Sequence, residues 1–246
     1  MCYHTSQTKT TSQLEKRFNV SRDKRYDIGE LDFTFYHSNG FAHQNILIVP
    51  QQEPDTLTPA KWGLIPPDQP GADHESYYKK SIRYGSGLNA RSEKLFDHFV
   101  YRLSAYERRC LVPLDGFFEP HEKAGKKFPY YIHRKNKECF GVAGIYTITP
   151  DNYVTVSLLT KEASPFMAEI HNKRKRQPVL LKAEDENAWL DPAANREQLE
   201  AIIASAYKDE SLEGWAVSRD LFRTGVDSDR PSIVEPFPYS ELNALF

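Results

Sequence analysis

Apolar and polar positions change period many times along the chain, and each change marks a short element. Leu14 and Phe18 stand four apart between Thr11 and Phe18, which predicts a helix over those residues. Leu31–Tyr36 alternates apolar with polar residues, and Ile46–Val49 is an apolar, β-prone run, so two strands are expected around a turn at Ser38-Asn39-Gly40. Pro66 to Gly87 is rich in Pro and Gly and reads as one long loop, of the kind that usually serves function. Ser92 is placed to cap a helix through Phe99, and a second short helix is expected over Ser104–Arg108.

Strands follow at Cys110–Leu114, Phe117–Glu119, Tyr130–His133, Phe140–Ile148 and Tyr153–Thr160. The charged stretch His121–Lys127, with Gly125, reads as a hairpin loop between two of them and not as strand. Helical patterns over Ala163–Ile170, Ala183–Leu190 and Asn195–Tyr207 are interleaved with short strands at Val179–Leu181 and Trp215–Ser218. The sum is a single α+β domain over residues 1–246, mainly antiparallel sheet, barrel-like or sandwich, flanked by short helices. Its core is expected within about 1–218, leaving 219–246 as an irregular C-terminal tail.

Composition narrows the class. No run of 18 apolar residues exists and Met1–Ser12 lacks an apolar signal core, so a cytoplasmic, reducing setting is expected, with no membrane partner. Three cysteines form no CxxC pair and eight histidines show no HxxxH spacing, so neither a disulfide framework nor a metal centre is expected, and no cofactor motif stands out. A net charge of -2 does not announce a nucleic-acid binder, but a local basic patch suffices for phosphate affinity. Lys173-Arg174-Lys175-Arg176 is the dense basic run, and such runs are usually solvated faces.

Several positions carry candidate chemistry beside a plainer reading. Cys2 is exposed as an N-terminal residue if Met1 is removed, which places a free α-amine beside a thiol. An α-amine titrates near ~7.7–8.0, so about a tenth is nucleophilic at neutral pH. The amine attacks an aldehyde to give a Schiff base, and the thiol closes a thiazolidine on it; by position alone, residue 2 is equally an ordinary terminus. Asn89 is either an orienting amide or a turn residue, and Arg91 either a phosphate clamp or a surface ion pair. Glu119, flanked by Phe117 and Phe118, is either a carboxyl of raised pKa or an exposed strand-end glutamate. His171 is either a proton-transfer group or a helix C-cap, and Thr160 either a presented hydroxyl or an ordinary strand end.

Met1-Cys2, Trp62-Gly63-Leu64-Ile65-Pro66, Leu88-Asn89-Ala90-Arg91-Ser92-Glu93, the run Arg109 to Glu119, and Ile170-His171-Asn172 followed by Gln177-Pro178-Val179 occur in this order. Together they resemble the SRAP family, the SOS response-associated peptidases, whose members shield abasic sites. The resemblance implies Cys2, Asn89, Glu119 and His171 as catalytic residues. It implies Arg91, Thr160, His4, Trp62, Lys173 and Arg174 along bound DNA. The function it implies is capture of abasic sites in single-stranded DNA as a covalent thiazolidine, by a monomer that associates with the nucleoid when it binds damaged DNA. The alternative is a cysteine peptidase with Cys2 as nucleophile and His171 as base. Four departures stand out: Tyr3-His4 for the usual Gly-Arg, Pro67-Asp68 where a tryptophan is common, Pro120 for Trp, and a longer spacing after His171.

Overall fold

The computed structural model describes residues 2–205, 207 and 209–243, and its strands gather into two main sheets. One runs Leu212–Ala216, Lys126–Arg134, Gly116–Lys123, His4–Gln7, Phe35–Asn39, with every neighbour antiparallel. The other runs Val154–Glu162, Phe140–Ile148, Arg109–Leu114, Asn45–Pro50, Thr56–Trp62, again antiparallel. It then closes: Thr56–Trp62 lies parallel to Val154–Glu162, with Lys61 opposite Thr155 and Trp62 opposite Val156. Closure removes the open edges that such a sheet would otherwise expose. The expected α+β, mainly antiparallel and barrel-like architecture is the one observed.

Side-chain alternation explains why these strands read as nearly continuous apolar runs. Ile46, Ile48, Cys110, Val112, Val156 and Leu158 join one buried cluster, while Leu47, Val49, Leu111 and Leu159 join another on the opposite face. Helices cover that second face, contributing Leu14, Trp189, Leu190, Leu199 and Ile203. Arg109 fastens this layer. It is fully buried and donates to the carbonyls of Ala105, Tyr106, Trp189 and Asp191 at 2.6–2.9 Å. Trp189 Nε1 returns a bond to the Cys110 carbonyl at 3.0 Å.

The helices Thr11–Phe18 and Ala183–Leu190 and the strand Phe140–Ile148 have the expected bounds. Other segments differ, each for a local reason. The strand expected from Leu31 begins at Phe35, because Asp32 accepts the Gly29 N–H and Thr34 bonds back to Leu31, turning the chain first. Ser38 and Asn39 lie within it, and the turn is a 3-10 segment Gly40–Ala42 capped by the Asn39 side chain. The long loop contains a helix, His74–Ser81, and the helix expected from Ser92 is only a 3-10 turn, Ser92–Lys94. The helix expected to reach Tyr207 ends at Ala204, and Ala206 lies outside the described residues.

The hairpin expected at His121–Lys127 is present, but most of that stretch is strand and not loop. Strands Gly116–Lys123 and Lys126–Arg134 pair to their ends around Ala124-Gly125, whose φ of 50° and 74° suit the tight turn that matches strand twist. The tail expected to be irregular carries 3-10 segments at Arg219–Phe222 and Pro231–Val234 and a short helix at Ser240–Asn243, and it is packed: Leu221 and Ile233 are buried with Phe118, Tyr131 and Val217. Trp215 Nε1 donates to the Val234 carbonyl at 2.8 Å, and the Tyr239 hydroxyl to the Val217 carbonyl at 2.7 Å. Among the described residues, no helix is long and apolar enough to cross a membrane.

Candidate functional site

The first strand sets the site. His4–Gln7 lies between Phe35–Asn39 and Gly116–Lys123 with His4 opposite Phe118, which carries Cys2 past Glu119. Cys2 is fully buried, its Sγ donates to the His4 carbonyl at 3.7 Å, and burial, aided by the Glu119 carboxyl, pushes the thiol pKa well up. Met1 lies outside the described residues.

Asn89 reaches the same place from the second sheet. It opens the strand Asn89–Arg91, which pairs parallel to Leu158–Thr160, and its Nδ2 donates to the Cys2 carbonyl at 2.8 Å. Its Oδ1 is buried with no hydrogen-bond partner among the described residues. Gly87 makes this approach possible. At φ +67° its carbonyl accepts the Leu64 N–H at 3.0 Å, and a Cβ there would fall 2.3 Å from the Leu64 carbonyl oxygen. Gly87→Ala is therefore expected to cost about 2–3 kcal/mol, read from the urea midpoint, because both the dihedral and the close backbone contact forbid a side chain. An unchanged midpoint would show that the loop shifts without cost.

Glu119 and His171 meet across two elements. His171 ends the helix Pro165–Ile170, which Ser164 caps at its N-terminus, and Asn172 exchanges two bonds with the Glu122 backbone at 2.8 and 3.0 Å. That tie docks the helix end on the strand carrying Glu119. His171 Nδ1 stands 3.1 Å from Glu119 Oε2, yet its N–H is directed at the Arg176 carbonyl, 2.8 Å away. Neither Glu119 oxygen then has a hydrogen-bond partner among the described residues. Burial raises the Glu119 pKa to about 7 against the opposing charge of Arg174, and burial with that same charge lowers His171 to about 4. At neutral pH the histidine is uncharged, with Nδ1 as donor, so Nε2 carries the basic lone pair. The pair can pass protons near neutrality without forming a salt bridge.

Glu119 and His171 line a cleft of about 1050 Å³ that also takes in Tyr3, His4, Lys173 and Arg174. Lys173 is paired with Glu122 at 2.9 Å, whereas Arg174 is exposed and makes no ion pair among the described residues. Arg176 is not available: it forms a bidentate pair with Glu93 and donates to the Thr160 carbonyl at 2.7 Å. Arg91 is exposed, and its charge acts with that of Arg174 on the Tyr3 hydroxyl. Two residues expected along DNA are withdrawn from solvent. Trp62 is fully buried with Nε1 bonded to the Leu88 carbonyl at 3.0 Å, so its ring fills the core. Thr160 is fully buried and its hydroxyl lies 3.3 Å from Arg176, so it braces that arginine and faces no solvent.

The cleft also holds residues that sequence reasoning passes over: Lys126, Lys127, Arg219, Phe222 and Arg223. The first two sit on the charged hairpin, the others on and just after the 3-10 segment Arg219–Phe222. The Lys126-Lys127 doublet is the available signal, but nothing local says which cavity it faces.

A model of the SOS response associated peptidase (SRAP) family matches residues 1–224. The abasic site processing protein YoaM of Bacillus subtilis is 31% identical over 181 residues, covering 71% of this chain and 74% of that protein. The abasic site processing protein HMCES of Gallus gallus is 26% identical over 220 residues, covering 76% of this chain and 60% of that protein. A crystal structure of a Bacteroides thetaiotaomicron protein superposes with a TM-score of 0.81 at 25% identity, over 96% of this chain and 100% of that one.

Proposed function

The chain belongs to the SOS response associated peptidase family, and on that premise we propose that it captures abasic sites in single-stranded DNA as a thiazolidine on Cys2 once Met1 is removed. The names of its relatives as abasic site processing proteins support this reading. The observation that carries it is the convergence of Cys2, the Asn89 amide and an unpartnered, buried Glu119 carboxyl beside a cleft with a cationic rim.

The Cys2 α-amine adds to the aldehyde C1′ of the ring-opened sugar, and the carbinolamine loses water to an imine. The thiol then adds across the protonated C=N, its proton passing to the Glu119 carboxylate, and the ring closes with one water as the only by-product. Glu119, with a pKa near 7, supplies a proton to the departing hydroxyl and regains one at ring closure. His171 Nε2 takes the C1′ hydroxyl proton as the sugar ring opens and returns it to the departing O4′, and Asn89 holds the Cys2 carbonyl in place. Arg174, Lys173 and Arg91 neutralise backbone phosphates. A single strand is required because the aldehyde must reach a buried residue that a duplex would obstruct. We place the protein in the cytoplasm as a monomer on nucleoid DNA. A peptidase mechanism has no support in this geometry: the Cys2 thiol is held protonated by burial, and no hydrogen bond joins it to His171 among the described residues.

The test uses protein confirmed by mass spectrometry to begin at Cys2, mixed with a single-stranded oligonucleotide bearing one abasic site. A slow band on a denaturing gel that survives boiling is expected. Its absence from such protein sinks the proposal.

A further inference from the structure

Behind the cleft, a chain of polar side chains joins the first strand to the C-terminal tail. His4 Nδ1 lies 2.8 Å from His37 Nε2, and His37 Nδ1 lies 2.6 Å from Ser228 Oγ. The two rings stack with centroids 5.1 Å apart, and Phe222 meets His4 edge-on at 5.5 Å. Asp229 holds the tail in register by accepting the Tyr36 and His37 N–H groups at 2.7 and 3.2 Å. His4 lines the main cleft and also a second groove of about 530 Å³ that contains His37 and Ser228. Its Nε2 makes no hydrogen bond among the described residues, and its backbone carbonyl receives the Cys2 thiol.

Resting on the function proposed above, we propose that His37 and Ser228 are positioning residues that fix the tautomer of His4, so that its Nε2–H donates to a phosphate oxygen of the bound strand. Only one direction of the chain is consistent with such an acceptor. Ser228 Oγ–H donates to His37 Nδ1, His37 Nε2–H donates to His4 Nδ1, and the His4 proton is left on Nε2. Every donor then has one acceptor, and no ring carries a charge. Burial also opposes the cation, lowering His4 to about 3 and His37 to about 4, with the neighbouring ring adding to the first and Asp229 opposing the second. The charged groups that share a cavity with His4 are Glu119, Glu122, Lys126, Lys127, Lys173, Arg174, Arg219 and Arg223 in the cleft, and Asp227 and Asp229 with Arg223 in the second groove.

The relay predicts a pH signature that a purely structural role lacks. Without His37, His4 loses its fixed tautomer, while water entering the vacated space relieves the burial that opposes its cation and the bound phosphate favours that cation, so acidification recovers the contact as a charged one. Binding is measured by fluorescence anisotropy with the full chain and a single-stranded oligonucleotide carrying a tetrahydrofuran abasic analogue, which cannot crosslink. His37→Ala is expected to bind about tenfold more weakly than wild type near pH 8 and within about twofold of it near pH 5.5, a hydrogen bond to a charged group being lost and then replaced. His37→Gln, whose amide can donate to His4 Nδ1, restores most of the affinity near pH 8. Ser228→Ala, a milder change on the tail, shifts the ratio in the same sense and carries the test if His37→Ala does not fold. In a His4→Ala background, His37→Ala costs nothing further.

Equal affinity of His37→Ala and wild type near pH 8, or a loss that persists on acidification, overturns the inference. If wild type crosslinks to an abasic site while either of those results is found, only the relay falls. If wild type neither binds the analogue nor crosslinks, the proposed function falls and takes the relay with it.

Discussion

Cys2→Ser is expected to lose the boiling-resistant DNA adduct, by about 100-fold or more in yield, while keeping an imine that borohydride traps. Serine at this position leaves the α-amine that makes the first bond. What it removes is the thiol, and a hydroxyl is a far poorer partner for closing a five-membered ring on C=N. The imine therefore stays open to water and falls apart on boiling unless its double bond is first reduced. Gel bands with and without borohydride separate the two groups that Cys2 contributes. A stable adduct at the wild-type level would show that the thiol closes no ring. Loss of both bands, from variant protein shown by mass spectrometry to have lost Met1, would show that the amine is not the nucleophile.

Glu119→Gln is expected to slow crosslinking about 100-fold, as loss of a positioned proton-transfer group does, and to stabilise the fold at alkaline pH. The sign follows from burial. Glu119 titrates near 7 in the folded chain, above its ordinary value of 4.5, so the folded state holds this proton more tightly than the unfolded state. Its stabilising contribution is fully present below the unfolded pKa and is lost as pH rises through about 7. A shift of that size corresponds to an order of ~3 kcal/mol of cost for the buried carboxylate near pH 8. Glutamine carries no charge, so urea midpoints should show the variant more stable by about 2–3 kcal/mol near pH 8 and nearly equal near pH 4. A difference independent of pH would mean that the carboxyl is not perturbed. A wild-type crosslinking rate would place the proton transfer elsewhere. Stability and chemistry thus pull in opposite directions at this residue, the usual mark of a group kept for function.

Much of the site is legible before folding because its members sit in short segments whose order is visible along the chain. Cys2, Asn89, Glu119 and His171 all stand in such segments, and the fold brings them to one place. Helix bounds at Thr11–Phe18 and Ala183–Leu190 are equally legible, since the 3.6 period of the first and the Asp191-Pro192 stop after the second act within a turn. The hairpin at His121–Lys127 is legible too, but the length of its strands is not, because the charge suggests a loop although exposed strand ends tolerate lysines as readily.

The sequence by itself determined the reactive inventory and the class of fold, because residue chemistry and periodicity are local properties. Only the tertiary structure decided exposure and pairing. Barrel closure buried Trp62 and Thr160, the Glu93 partnership withdrew Arg176 while leaving Arg174 at the cleft, and the tail brought Arg219 and Phe222 to its walls and Ser228 to His37 behind it. Strand register placed His37 behind His4, 33 positions away. These outcomes depend on which distant segments become neighbours, and a side chain's environment, hence its charge state and its reach, is set by those neighbours and not by its place in the chain.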